Sequence, residues 1–386
     1  MSDALGPTLD ILARLVAFDT TSRNSNLDLI AWVEAFLAAR GVASVRVGDA
    51  SGAKANLIAM IGPAVEGGVV LSGHTDVVPV DGQDWASDPW VVSAREGKLY
   101  GRGVADMKSF LALALAHVDA MREARLQRPI FLALSYDEEV GCLGAPGLIA
   151  QLRERYPAPA AAIIGEPTSM KVVSGHKGVR SFWVDVQGRE AHSSLVDNGV
   201  SAVMEALKLM NLVADLAREA RAAADPASPF SPPGATMTIG RVEGGTALNI
   251  LARRCTFGFD LRAPAEVDAD ALEARFRAAA LALEAEMKAR APEAFVRVTR
   301  RSCTAGLAPA PESAAETLAR ALTGDNAMRV VSYGAEAGLF QNAGVPAVLC
   351  GPGSIEQAHQ PDEWIALEQV KEGARFMQRL IARLGG

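Results

Sequence analysis

Gly68-Val-Val-Leu-Ser-Gly-His-Thr-Asp76 is a short apolar run that closes on an imidazole and a carboxylate. Residues 68–72 read as a buried strand, because a brief aliphatic run bounded by glycine is too short for a helix. The same signature recurs at 56–61, 129–135, 160–164 and 346–350. Helical periodicity covers 27–40, which stops at Gly41, and a long amphipathic stretch at 107–122. Strands alternating with helices imply an α/β domain with a mostly parallel sheet flanked by helices. Polar groups then stand just past strand ends: His74 after one run, Glu138-Glu139 after a second, Glu166 after a third. In open α/β sheets that edge is where ligands bind.

The middle of the chain has another pattern. Alternating segments at 179–187, 236–242, 255–261 and 295–301 enclose two long helices at 200–223 and 267–291. Strand, helix, strand, strand, helix, strand predicts an α+β sandwich of the ferredoxin-like type, with a Pro- and Ser-rich loop at 225–234. The α/β pattern resumes near Cys303. We therefore expect one domain from 1–176 and 303–386, and an inserted domain at 177–302.

With 386 residues, two domains are the default expectation. The net charge of −7 argues against nucleic-acid or anionic-membrane partners. No apolar run reaches the ~18 residues of a membrane span, and Met1-Ser-Asp-Ala-Leu-Gly-Pro lacks the pattern of a signal peptide. Cys142, Cys255, Cys303 and Cys350 are widely spaced, as expected of reduced, mostly buried thiols in a cytoplasmic protein. Gly101-Arg-Gly103-Val-Ala-Asp106 has two glycines of a dinucleotide fingerprint but an aspartate at the third, which excludes a pyrophosphate site.

The chemistry lies in His74, Asp106, Glu139, Glu166 and His359, the last in Gly351-Pro-Gly-Ser-Ile-Glu-Gln-Ala-His359-Gln-Pro-Asp-Glu363. Imidazole and carboxylate suit zinc-like ions. Two histidines and three carboxylates exceed one catalytic ion and match two ions sharing a bridging carboxylate. Glu138 is the spare carboxylate for proton transfer. Asp76, two residues from His74, fits the role of fixing that imidazole's tautomer. His117, inside a helix, reads as structural, and His176 as a hinge or structural residue.

These motifs, with Asp137-Glu-Glu139, Ile164-Gly-Glu-Pro-Thr168, Gly188-Arg-Glu-Ala-His-Ser-Ser194 and Gly244-Gly-Thr-Ala-Leu-Asn249, resemble the M20 family of metallopeptidases and aminoacylases. The resemblance covers essentially the whole chain. It implies His74 and Glu166 on one zinc, Glu139 and His359 on a second, Asp106 between them, and Glu138 as general base and acid. Co²⁺ substitutes in such sites. It further implies that His192, on an inserted lid and dimerisation domain, stabilises the oxyanion in the partner subunit of a homodimer, and that Asn249 and Arg262 contact substrate. The implied reaction is hydrolysis of the amide bond of a small N-acyl amino acid. The segments around Glu166 and His359 are most similar to the branch that deacetylates N2-acetyl-L-ornithine. Succinyl-diaminopimelate desuccinylation or broader N-acyl-amino-acid and dipeptide hydrolysis are alternatives, as is a non-catalytic binding homologue. The match departs at Ala335, where that branch often has Thr.

Overall fold

The computed structural model describes residues 5–386, so the reading of the extreme N-terminus concerns Met1–Ala4, outside the described residues. The chain divides into two compact units. The larger comprises Met1–Gly175, Pro309–Val330 and Ala335–Gly386, and the smaller His176–Ala308 with Val331–Gly334.

The larger unit is built on a six-stranded sheet. Its spatial order is Ser44–Gly48, Ala55–Ile61, Ile130–Ser135, Gly68–His74, Pro159–Pro167, Ala347–Gly351. The last four run parallel, and the first two join antiparallel, so the sheet is mixed and mostly parallel. Every residue of Gly68–His74 and Ile130–Ser135 is buried, which is why both read as continuous apolar runs rather than alternating ones. On one face, Leu57, Leu71, Leu132 and Ile163 share a core with helices Gly6–Val16, Leu27–Ala38, Lys108–Ala116 and Leu367–Leu384. On the other, Phe131 meets Tyr156 edge-on at 5.7 Å, directly after helix Ala145–Arg155.

Two glycines set how closely these layers approach at the strand ends. A Cβ on Gly165 would stand 2.0 Å from Cγ of Phe110, and one on Gly351 would stand 2.0 Å from the Gly165 carbonyl oxygen. Both are far inside van der Waals contact.

The helix expected over 107–122 is two helices, Lys108–Ala116 and Val118–Glu123. His117 divides them. Its ring Nδ1 lies 2.8 Å from the Leu113 carbonyl, the acceptor its own backbone N–H would use in a continuous helix. That N–H turns to Ala114 instead, at 3.3 Å. Local periodicity carries no trace of this competition.

The smaller unit has the order strand Gly178–Gln187, helix Ala202–Ala222, strands Thr236–Gly244 and Arg254–Ala263, helix Ala269–Arg290, strand Phe295–Thr304. Its sheet is antiparallel throughout, in the order third-listed hairpin strand outward: Thr236–Gly244, Arg254–Ala263, Gly178–Gln187, Phe295–Thr304. This is the ferredoxin-like arrangement. Ser201 and Asp268 cap the two helices by accepting from Met204 and Ala271 backbone N–H groups. Phe182 stacks on Phe259, and Phe276 packs tilted against Phe259, in its separate core. Three of the four cysteines are buried and Cys303 is exposed.

Candidate metal centre

The parallel strands of the larger unit end on one edge, and they carry His74, Glu166 and the loops bearing Glu138-Glu139 and His359 to it. Asp106 arrives from the turn ahead of helix Lys108–Ala116. His74 is fully enclosed, with Nε2 3.0 Å from Asp106 Oδ1 and Nδ1 2.8 Å from the Asp76 carbonyl. A carbonyl can only accept, so Nδ1 carries a proton and Nε2 is the ligating nitrogen. Burial opposes charge on this ring, but the Asp106 hydrogen bond and the charges of Asp106, Glu138 and Asp76 prevail, lifting its pKa well above the usual value.

Asp106 presents its second oxygen to another imidazole. His359 Nε2 lies 3.3 Å from Asp106 Oδ2 and 3.0 Å from Glu139 Oε2. A carboxylate with one oxygen toward each histidine has the geometry of a bridging ligand. Ligand atoms of His74, Asp106 and Glu139 all fall within 4.8 Å of one another. Burial would raise the Asp106 pKa, yet the hydrogen bonds from His359 and His74 pull it well below the carboxylate range. Glu139 goes the other way, to about 7, through burial and then the Asp106 charge. His359, hydrogen-bonded to Asp106 and Glu139, is raised to about 10.

Glu166 is buried, and its Oε1 has no hydrogen-bond partner among the described residues. Burial, then the charge of Asp106, push its pKa well up. Glu138 is raised well up by burial and then by Glu166, and the Cys142 thiol lies 3.4 Å from its Oε1. Four mutually repelling carboxyl groups, a buried oxygen without a donor and two imidazoles aimed at acceptors form a costly arrangement on their own. Bound metal would relieve the ligand groups of this set, and the mixed nitrogen and oxygen donors suit zinc-like ions.

Asp76 was expected to hold the His74 ring through its side chain. The backbone carbonyl makes that contact, and the carboxylate stands 3.6 Å from Nδ1. The carboxylate instead accepts from the backbone N–H groups of Glu138 at 3.1 Å and Glu139 at 3.3 Å, and from Ser22 Oγ at 2.7 Å. The loop past Ile130–Ser135 has amides with no strand to pair with, and Asp76 supplies the acceptor.

In the smaller unit, His192 is exposed, and its Nδ1 accepts from the Ser194 N–H at 3.2 Å. Asn249 lies beside it: His192 bridges Ile250, and the Ser193 N–H donates to the Asn249 carbonyl at 3.0 Å. Arg262 is half-buried and paired with Asp260 at 2.8 Å. His176 is fully buried, its Nδ1 3.0 Å from the Lys177 carbonyl, and burial pushes its pKa down to about 4.

Two buried carboxylates escaped the sequence reading. Glu363 accepts from the N–H groups of Gly103, Ala105 and Asp106 at 2.9–3.1 Å and from Arg102 at 2.7 Å. Glu336, 1% exposed, lies behind His74, with Ser72 Oγ at 3.4 Å. The available signal was a charge within a glycine- or alanine-rich segment, too common to single out either residue.

An open α/β sheet whose strand ends gather these nitrogen and oxygen donors defines a metal-dependent hydrolase frame. The chain belongs to peptidase family M20/M25/M40, whose model matches residues 70–383. It is 35% identical to an acetylornithine deacetylase of Myxococcus xanthus, with 100% of each chain covered. Among solved structures it resembles an M20 metallo-carboxypeptidase from Sulfolobus solfataricus, at 15% identity and TM-score 0.78, covering 97% of this chain and 98% of the other. It also resembles a dinuclear metal-binding M20 peptidase from Bacillus subtilis, at 14% identity and TM-score 0.63, covering 99% of each. The protein is accordingly a metal-dependent hydrolase of amide bonds. No helix among the described residues is long and apolar enough to cross a membrane.

Proposed function

We propose that the chain is a di-zinc deacetylase converting N2-acetyl-L-ornithine and water to L-ornithine and acetate. The observation that carries this reading is Asp106, with one oxygen on His74 and the other on His359, and the Glu138 carboxyl near enough to feel the charges of both Asp106 and His74. Similarity over the full length to a protein named acetylornithine deacetylase supports the substrate.

His74 and Glu166 would hold one ion, Glu139 and His359 the other, and Asp106 both. Ions bound there supply a nucleophile near neutral pH and polarise the acyl carbonyl. Glu138 takes a proton from the attacking water and delivers it to the departing amine nitrogen. Atoms balance: the C–N bond breaks, a C–O bond forms, and the water's two hydrogens end on the amine and the acid. Asp76 holds the Glu138 and Glu139 amides and so fixes where that carboxylate sits. His192 donates to the oxyanion in the partner subunit of a homodimer, and Asn249 and Arg262 contact the substrate. The location we propose is cytoplasmic.

The test pairs Glu138→Ala with a substrate panel of acetylornithine, acetylmethionine, succinyl-diaminopimelate and a dipeptide, at defined Zn²⁺ or Co²⁺ content. The variant should keep its ions and lose turnover by on the order of 10²–10⁴-fold. Near wild-type turnover refutes the mechanism, and equal rates across the panel refute the substrate.

A further inference from the structure

His359 stands on a glycine-rich loop with a left-handed backbone, φ 63°, and is the most exposed of the five ligands. Such a side chain has no strand to aim it. Yet its Nε2 lies within 3.3 Å of both Asp106 and Glu139, so something else must position the loop.

A chain of hydrogen bonds joins the His359 backbone to the Asp106 backbone. Gln83 Nε2 donates to the His359 carbonyl at 3.1 Å. Gln83 Oε1 accepts from Arg102 at 2.6 Å and from Trp85 Nε1 at 3.1 Å, which fixes the orientation of the amide. Arg102, 1% exposed, donates in turn to Glu363 Oε2 at 2.7 Å. Glu363 Oε1 accepts from the Asp106 N–H at 3.1 Å. Glu363 also lies four residues after His359 in the same loop, so the carboxylate anchors that loop to the Asp106 turn directly. None of Gln83, Arg102 and Glu363 offers an atom to the ions, since each polar contact is made to protein.

We infer that Gln83, Arg102 and Glu363 form a clamp of positioning residues that fixes His359 against Asp106 and thereby sets the affinity of the ion these two share. The inference rests on the metal-centre reading above. It assigns a graded effect: the His359 ion depends most on the clamp, because Gln83 acts on the His359 loop alone. His74 and Glu166 of the other ion sit on strand ends that the clamp does not touch. Partners behind a ligand typically change ion affinity 10–100-fold.

Two substitutions separate positioning from folding. Gln83→Glu keeps both acceptor contacts, to Arg102 and Trp85, and turns an oxygen toward the His359 carbonyl in place of a donor. Glu363→Gln keeps size and presents an N–H₂ group to donors that previously met an oxygen. Ion-free full-length wild type and both variants would be titrated with Co²⁺, following uptake by absorption and calorimetry, with thermal unfolding of each ion-free chain in parallel. We expect wild type to take up two ions. Gln83→Glu should bind the first as wild type does and the second at least about tenfold more weakly. Glu363→Gln, which also loosens the Asp106 turn, should weaken the second more than the first. Ion-free Gln83→Glu should melt as wild type does, and excess Co²⁺ should restore kcat with KM unchanged. Two ions of wild-type affinity in both variants overturn the clamp alone, as does weakening of both ions together in Gln83→Glu. A wild-type chain that takes up no ion overturns the metal-centre reading and the clamp with it.

Discussion

His74 and His176 are buried to the same degree, 1% and 0% exposed, and their environments drive them in opposite directions. In the larger unit, His74 faces Asp106 and lies near Glu138 and Asp76, and its pKa is lifted well up. In the smaller unit, His176 faces a backbone carbonyl, and burial takes it down to about 4. Burial alone therefore does not make a site. What separates the two regions is the convergence of carboxylates on one edge of a parallel sheet. The third case is His192, exposed and held by a serine two residues away, whose proposed role depends on the shape of a turn.

Substitutions at these histidines break or sharpen the contrast. The largest effect is expected at the converged edge. His74→Ala should abolish ion uptake at its site and lower turnover by more than about 10³-fold, measured by metal analysis and steady-state rates. Wild-type metal content in this variant would show that His74 holds no ion. Next comes His192→Ala, which should lower kcat by roughly 10²–10³-fold, as for loss of one oxyanion donor, with ion content unchanged. A change in ion content would place His192 with the converged set.

A smaller effect is expected at His176. Its folded-state pKa of about 4 lies below the ~6.5 of an unfolded histidine. The folded ring stays neutral while the unfolded ring takes up a proton, so stability is full above pH 6.5 and declines as pH falls to 4. The total loss is about 3 kcal/mol, from the ~1.4 kcal/mol that each pKa unit represents. Denaturant unfolding at pH 7 and pH 4 should show a steeper acid loss in wild type than in His176→Gln. Identical slopes would rule out His176 protonation as a source of the acid loss. The mildest change is Arg262→Ala, which should raise KM about tenfold at constant ion content, near the worth of one hydrogen bond to a charged group. An unaltered KM would leave Arg262 as the partner of Asp260 alone.

The strand-end placement of His74, Glu138, Glu139 and Glu166 was legible because fully buried parallel strands are written as unbroken apolar runs. The smaller unit was legible for the converse reason, since its alternating strands and two long helices each have a distinct period. What could not be read lies in side chains that act across the chain. The Asp76 carboxylate serves amides more than 60 positions away, and Glu363 reaches the 103–106 turn from 257–260 positions away. The break at His117 was hidden for a local reason, because a ring nitrogen competing for a helix carbonyl leaves hydrophobic periodicity intact.

The close approach of Gly165 to Phe110, and of Gly351 to Gly165, has a consequence for how this protein can vary. In a saturation library selected for growth that depends on making the product amine from its N-acyl precursor, positions that touch ions or substrate should be depleted of every replacement. Gly165 and Gly351 should be depleted as severely, alanine included, although neither carries a functional side chain. A map of intolerance would thus overstate the catalytic set by two glycines. Compensation at the first of them should come from a smaller residue at 110, a rescue unavailable to any ligand.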